Sequence, residues 1–300
     1  MKPSRRAQTV DGLHQRAGGR RRMLMRRAAR AAVLAALAPV IGGAAETGRV
    51  RQYLGLARAT LERPIAPAEL DAAVLSAQGI EAVAALFESS LAAGVTMDGA
   101  VVTPELGGEA TLDAGRLTFV VYPDPVHPVV RRMLELKDDP AGLLDHLSRS
   151  AEGAHVLKTS GGLHALLYQM TTRPPAEAQR RALDVVLRHA VATHFKTWTV
   201  SPEIQRDMIE KHDWRGRYVG LWHLHPPRPD GATWAAGLEP GLEDMTVAAE
   251  KGQFLTIVFQ PDGFDAYDLS AVAASGRLDV SKARRVSHRS ADWERRFRVR

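Results

Sequence analysis

Two histidines one residue apart, His223 and His225, have the types and spacing in this 300-residue chain that point most directly to chemistry. They close the run Tyr218-Val-Gly-Leu-Trp-His-Leu-His225, whose apolar and aromatic residues predict a β-strand ended by Pro226-Pro227. Side chains alternate along a strand, so Val219, Leu221, His223 and His225 are expected on one face. The two imidazoles then stand side by side at its end. Two neighbouring neutral imidazoles are half of a zinc site. On spacing alone, one packed and one exposed histidine explain the motif as well. Downstream, Pro240-Gly241-Leu242-Glu243-Asp244 opens an expected helix over Gly241–Lys251, with Asp244 in its first turn. A carboxylate facing two imidazoles makes three ligands and leaves a fourth position for water, the catalytic rather than the structural pattern. An acid favoured by the helix dipole is the competing explanation for Asp244. The chain has no cysteine, which excludes disulfides, zinc ribbons, iron–sulfur clusters and a thiol nucleophile. Any metal must be held by His, Asp or Glu.

The elements that must position these residues are read from periodicity. Residues 47–94 have a helical pattern broken by Pro64 and Pro67, giving two or three helices. Leu117–Tyr122 reads as a buried strand stopped by Pro123 and Pro125, with helices over Val129–Leu136 and Ala141–Leu147. Val156–Lys158 and Leu163–Met170 read as strands around Ser160-Gly161-Gly162. A long helix follows over Ala176–Ala192 with an apolar stripe of Leu183, Val186, Leu187 and Ala190. Next come a short strand, Phe195–Val200, and a helix capped by Ser201. After the histidine strand, Phe254–Phe259 and Phe264–Leu269 are expected to form a hairpin. The closing Lys282–Arg300 segment could add a strand or lie on an acidic surface.

Together these residues resemble the JAMM (MPN-plus, Mov34-type) zinc metallopeptidases. That family's signature is a strand ending His-x-His-Pro, a loop, Pro-Ser-x-x-Asp opening a helix, and then an apolar strand. The matching stretches here are Val219–Pro226, Pro240–Met245 and Phe254–Phe259, and the resemblance covers about residues 200–270. It implies zinc held by His223, His225 and Asp244. It also implies a curved mixed β-sheet flanked by helices, MPN-type or cytidine-deaminase-like, within an α/β (α+β) class. Two departures are visible. Gly241 stands where the family has the Ser that helps stabilise the oxyanion, a donor whose loss typically costs on the order of 10²–10³ in rate. The family also uses an upstream Glu as general base beside a Gly-Leu-Leu-type strand. The stretch here that resembles it, Leu163–Tyr168, is preceded by Gly161 and Gly162 and no acid, so the base is unassigned. Glu177 is the nearest acid, and a helix-dipole role is the better explanation for it; Glu203 and Glu210 lie in another element. The loop between His225 and Asp244 is longer than the family's and carries Trp234 in its Asp230–Gly237 stretch. Trp198, Trp214 and Trp222 surround the motif in sequence; such residues are mostly core, although an aromatic rim suits peptide binding. His164, His189, His194 and His212 share no spacing and are expected to be structural or at the surface.

Composition narrows the remaining classes. Apolar residues are 45% and charged residues 25%, the balance of a globular protein. The formal net charge of +6 is uneven: residues 1–30 carry +9, residues 281–300 carry +6, and the body between them carries −9. The acidic body and the lack of a groove-reading motif leave no nucleic-acid partner expected. Arg20–Arg22, Met23-Leu24 and Arg26-Arg27 precede the run Ala31–Ala45, fifteen small or apolar residues, too short for a transmembrane span. This layout resembles a twin-arginine export signal; a basic Ala-rich helix in a cytoplasmic protein is the alternative. The expected order is therefore an export segment (1–45), a helical region (46–100), a JAMM/MPN-like metallopeptidase domain (101–280, core 150–270) and a basic tail (281–300). The expected activity is a zinc (Zn2+) peptidase or isopeptidase acting on a peptide or protein, and the resemblance adds a ubiquitin-like tail as one such substrate. The alternative is a catalytically silent scaffold of the same fold.

Overall fold

A computed structural model describes residues 48–225, 255–268 and 284–297, apart from 64, 98, 197, 199 and 200. Three helices come first, α1 (Gly48–Glu62), α2 (Pro67–Leu75) and α3 (Ala77–Ala93). Ser76 separates the last two and caps α3 by accepting a hydrogen bond from the Gly79 amide. A small hairpin, β1 (Val95–Met97) and β2 (Ala100–Val102), leads into β3 (Leu106–Asp113) and β4 (Arg116–Tyr122). Five helices follow: α4 (Val126–Glu135), α5 (Pro140–Ser148), α6 (Ala151–Thr159), α7 (Leu163–Thr172) and α8 (Glu177–Phe195). The chain then forms α9 (Pro202–Lys211), β5 (Arg217–Leu224), β6 (Leu255–Gln260), β7 (Gly263–Asp268), β8 (Arg284–Arg289) and α10 (Ala291–Phe297). The main sheet has six strands in the order β4-β3-β5-β6-β7-β8; all neighbours are antiparallel except β5 and β6. The protein is thus a mixed α/β chain with a mixed sheet flanked by helices.

Each face of the sheet buries its own apolar set. On one, Leu70 and Val74 of α2, Val83 and Phe87 of α3, and Trp293 and Phe297 of α10 pack on Trp222, Leu224, Ile257 and Phe259. On the other, Tyr53 and Ala57 of α1 and Ile209 of α9 pack with Val120, Tyr122 and Tyr218. Helices α4–α8 form a third cluster around Met133, Leu147, Leu163 and Leu187, with Val95, Met97 and Val102 of the small hairpin packed against it. Among the described residues no single helix is long and apolar enough to cross a membrane.

Several sequence expectations change. Val156–Lys158 and Leu163–Met170 are helical, lying in α6 and α7 rather than in strands. Their short apolar runs belong to a three- and four-residue stripe: Leu163, Leu167 and Met170 are all buried on one side of α7. Ser150 caps α6 by accepting from the Gly153 amide, a start signal that outweighs the β-like composition. Phe195 is the last residue of α8 instead of the first of a strand, and Thr197, Thr199 and Val200 lie outside the described residues. β3 was not anticipated at all. Ser201 does cap its helix, accepting from Ile204 at 3.2 Å, and the β6–β7 hairpin forms as expected. The basic tail does add a strand. β8 brings Arg285 and Arg289 onto the fully buried Asp265 of β7, so part of that charge is matched inside the protein. Burial pushes Asp265 up, but hydrogen bonds from Arg289, Ser287 and Arg285 prevail and hold it below its ordinary range.

The helical cluster meets the sheet next to a group of imidazoles. His194 of α8 is 5% exposed and shares a 3.2 Å hydrogen bond with Thr159 of α6. His155 lies beside it, ring to ring at 5.7 Å, and His127 and Asp124 are close enough to affect its charge. Burial, then the His155 imidazole, lower the His194 pKa, with Asp124 opposing. The unfolded chain therefore takes up this proton at a higher pH than the folded one, and stability falls as pH drops below about 6.5. Thermal unfolding followed by circular dichroism should show a falling midpoint from about pH 7 to pH 5, and a shallower fall in His194→Gln. Identical slopes for the two proteins would remove His194 as the cause.

Candidate metal centre

The geometry around His223 and His225 follows from how β5 pairs on both sides. β3 runs antiparallel to it with Leu106 opposite Leu224, Gly107 opposite His223 and Glu109 opposite Leu221. Between Ala110 and Thr111 the register shifts, because Ala110 faces Gly220 and Thr111 faces Tyr218. Val219 is the extra residue of a β-bulge, and it packs with Trp222 and Leu224 on the face opposite His223. The expected four-residue face of β5 is thus limited to Leu221, His223 and His225. Gly220 makes the bulge possible: its φ is 144°, and a Cβ there would run into the Leu255 carbonyl. On the other side β6 runs parallel, and the His225 amide donates to the Phe259 carbonyl at 2.9 Å. His225 is held at the end of the strand by this bond.

The two imidazoles converge. Their Nε2 atoms are 3.0 Å apart and share a hydrogen bond, with His223 7% and His225 8% exposed. Two nitrogens bound tetrahedrally to one zinc at about 2.0–2.1 Å stand about 3.3 Å apart, so a small opening of this pair meets the requirement. The next register position along β3 brings in a residue that motif reading had passed over. Glu105, 6% exposed, has its Oε1 atom 3.9 Å from His225 Nε2. Its amide donates to the carbonyl of Phe195 at the end of α8, at 2.8 Å. The preceding Pro104 carbonyl accepts from Ser90 Oγ of α3 at 2.6 Å. Helices α8 and α3 therefore hold the one peptide group that precedes this carboxylate.

Glu177, the acid considered in the sequence, is exposed at the start of α8 and pairs with Arg181, outside this constellation. Glu203 and Glu210 lie on α9, and Glu210 pairs with Arg206. Asp244, Gly241 and Trp234 lie outside the described residues. Among the described residues no group of three or more His, Asp or Glu converges tightly enough to hold a metal. What is described is two imidazoles at near-ligand spacing with one carboxylate beside them. A cavity of about 340 Å3 lies elsewhere, between α5, α7 and α8 near Met170, Arg180 and Leu187. Of the other histidines, His194 is buried, and His164 and His189 are exposed on their helices. Trp214 and Trp222 are core residues.

A second buried carboxylate sits on the same face of β3. Glu109 is fully buried and accepts hydrogen bonds from Tyr53 of α1 at 2.8 Å and Gln205 of α9 at 2.7 Å. Its backbone carbonyl accepts from Trp222 Nε1 at 3.1 Å. Desolvation raises its pKa, while the Tyr122, Tyr53, Gln205 and Tyr218 donors oppose the shift. It lies opposite Leu221, the next position on that face after the Gly107–His223 pair, and its side-chain hydrogen bonds go to Tyr53 and Gln205. Glu109 ties two helices to the sheet and leaves Glu105 as the carboxylate of the site.

Compared with protein-family models, with curated proteins and with solved structures, the chain finds no match. The site is therefore interpreted on its own residues.

Replacing Glu109 should affect stability rather than metal uptake. Glu109→Ala leaves buried Tyr53 and Gln205 donors without their acceptor, at about 1–3 kcal/mol for each group. Glu109→Gln keeps an acceptor of the same shape and should cost less. Urea unfolding distinguishes them; equal stability of Glu109→Ala and the parent would refute the bridging role.

Proposed function

We propose that the protein is a zinc-dependent peptidase or isopeptidase of JAMM type, with His223, His225 and Asp244 as ligands and Glu105 as general base. The observation that carries this reading is the convergence of two buried imidazoles, 3.0 Å apart, with a buried carboxylate 3.9 Å from one of them. The three lie on or at the adjoining ends of two paired strands. Zinc, when bound, supplies a water of lowered pKa and polarises the scissile carbonyl. The residues of the chain do the rest. The Nε2 atoms of His223 and His225 donate lone pairs in their neutral form. Glu105 takes a proton from the attacking water and returns it to the departing amine, so it ends as it began. Its position, buried beside the His225 imidazole, is the one that a proton acceptor for a metal-held water needs. The resemblance of Val219–Pro226, Pro240–Met245 and Phe254–Phe259 to the family adds support. So does the order of the elements, with the acid on the strand paired to the histidine strand. The MPN-type version of the mixed sheet belongs to the same proposal.

The substrate class is a peptide or protein amide, a ubiquitin-like tail in one case. Residues 1–45, with their twin-arginine-like layout, support export, for which a cell-envelope peptide is the fitting substrate. One observation favours a second reading, a silent scaffold: Gly241 occupies the place of the family's oxyanion Ser. In that event zinc still binds and no amide is cleaved.

Metal analysis of the purified chain should find about one zinc per molecule, lost in His223→Ala plus His225→Ala. An absence of stoichiometric zinc in the parent protein would end the enzyme reading. Glu105→Gln should retain the metal yet lower hydrolysis of a peptide and modifier-conjugate panel by on the order of 10²–10⁴. Zinc without hydrolysis by the parent supports the scaffold. For export, N-terminal sequencing of protein from fractionated cells should find the segment before about residue 46 removed; an intact Met1 in the cytoplasm rules that out.

A further inference from the structure

Gly107 marks a place where the sheet makes room for an aromatic ring. It stands in register with His223 on β5 and Tyr122 on β4, so the three positions form one row across the sheet on the face of the metal-site candidates. A Cβ at Gly107 would lie 2.5 Å from Cδ2 and 2.6 Å from Cε2 of Trp198. The indole therefore rests directly on the β3 backbone, filling the gap between Tyr122 and the His223 row. Its Nε1 edge donates to the Tyr122 carbonyl at 3.4 Å, on the β4 side. On the other side of Gly107 in this row stands His223 of β5. In the same aromatic cluster Tyr53, Tyr122, Trp214 and Tyr218 are buried, whereas Trp198 is half-buried. Part of its surface is therefore exposed.

We propose that Trp198 is a specificity-determining residue: it walls the subsite next to the metal pair and favours ligands that carry an aromatic side chain beside their metal-binding group. The inference rests on the metallopeptidase reading and adds to it a side-chain preference. A flat, half-exposed ring offers an offset or edge-to-face contact to another ring, worth about two- to tenfold in affinity beyond simple burial. Strand neighbours stand ~4.8 Å apart, so a ligand held at His223 lies one strand away from the indole, within that contact range.

The test uses the full chain loaded with cobalt(II) in place of zinc and two chelating probes, phenylalanine hydroxamate and glycine hydroxamate, with binding read from the cobalt visible spectrum. The parent protein should bind the phenylalanine probe about two- to tenfold tighter than the glycine probe. Trp198→Phe should retain that preference, and Trp198→Leu, which keeps an apolar side chain, should reduce it to near parity. Gly107→Ala should also reduce it, because the indole must leave its seat while remaining in the chain. No preference in the parent, or an unchanged preference in Trp198→Leu, overturns the proposal while leaving the metal site standing. A parent protein that takes up no cobalt overturns both.

Discussion

The pairing of β3 with β5 is the constraint on which the candidate site depends. Neither strand carries the constellation alone: β5 ends in two imidazoles, and β3 begins just after a carboxylate. Their antiparallel register brings these ends together. A slip of one residue would send Glu105 to the opposite face, among Trp222 and Leu224. The bulge at Val219 maintains this arrangement while allowing the start of β5 to follow a different alternation. It lets Tyr218 face Glu109 and α1 on one side while Val219 fills the apolar core on the other. A strand without the bulge would have to place one of these residues in the wrong environment.

How much of this was legible in the sequence depends on what each strand shows. The histidine strand was visible because its apolar residues, its His-x-His end and its terminating prolines coincide. β3 was hidden. Its sequence, Leu-Gly-Gly-Glu-Ala-Thr-Leu-Asp, contains two glycines and a central acid, features that usually argue against a strand. Each has a tertiary cause that no local pattern reveals. Gly107 leaves space for Trp198, a Cβ on Gly108 would meet the Val120 carbonyl of β4, and Glu109 Oε1 accepts from donors on two helices. The Gly-Leu-Leu-like stretch visible in the sequence, Leu163–Tyr168, is helical and has no acid before it. The signal that could have found Glu105 is an acid followed by Leu-Gly-Gly just before a strand-length segment.

The charge distribution has likewise been divided by the fold. The basic tail contributes Arg285 and Arg289 to a fully buried Asp265, a carboxylate that depends on them for its charge to be compensated. Part of its +6 is therefore internal structure rather than a surface for an acidic partner. The charge of the acidic body, in contrast, includes two carboxylates buried on one strand face.

Those two carboxylates show how one face can hold two different chemistries. Both Glu105 and Glu109 are withdrawn from water, where an isolated charge is costly. Glu109 is surrounded by neutral donors, Tyr53, Gln205 and Trp222 among them, that make fixed contacts with its side chain or backbone. A carboxyl so held is a cornerstone between the sheet and two helices. Glu105 instead faces imidazole, a group that can itself change its protonation or accept a cation. Between them the indole of Trp198 covers Gly107 and fills the row that would otherwise connect the two sites. One ring thus lies between the carboxylate that ties helices to the sheet and the carboxylate beside the imidazoles, and the two tasks fall to different residues.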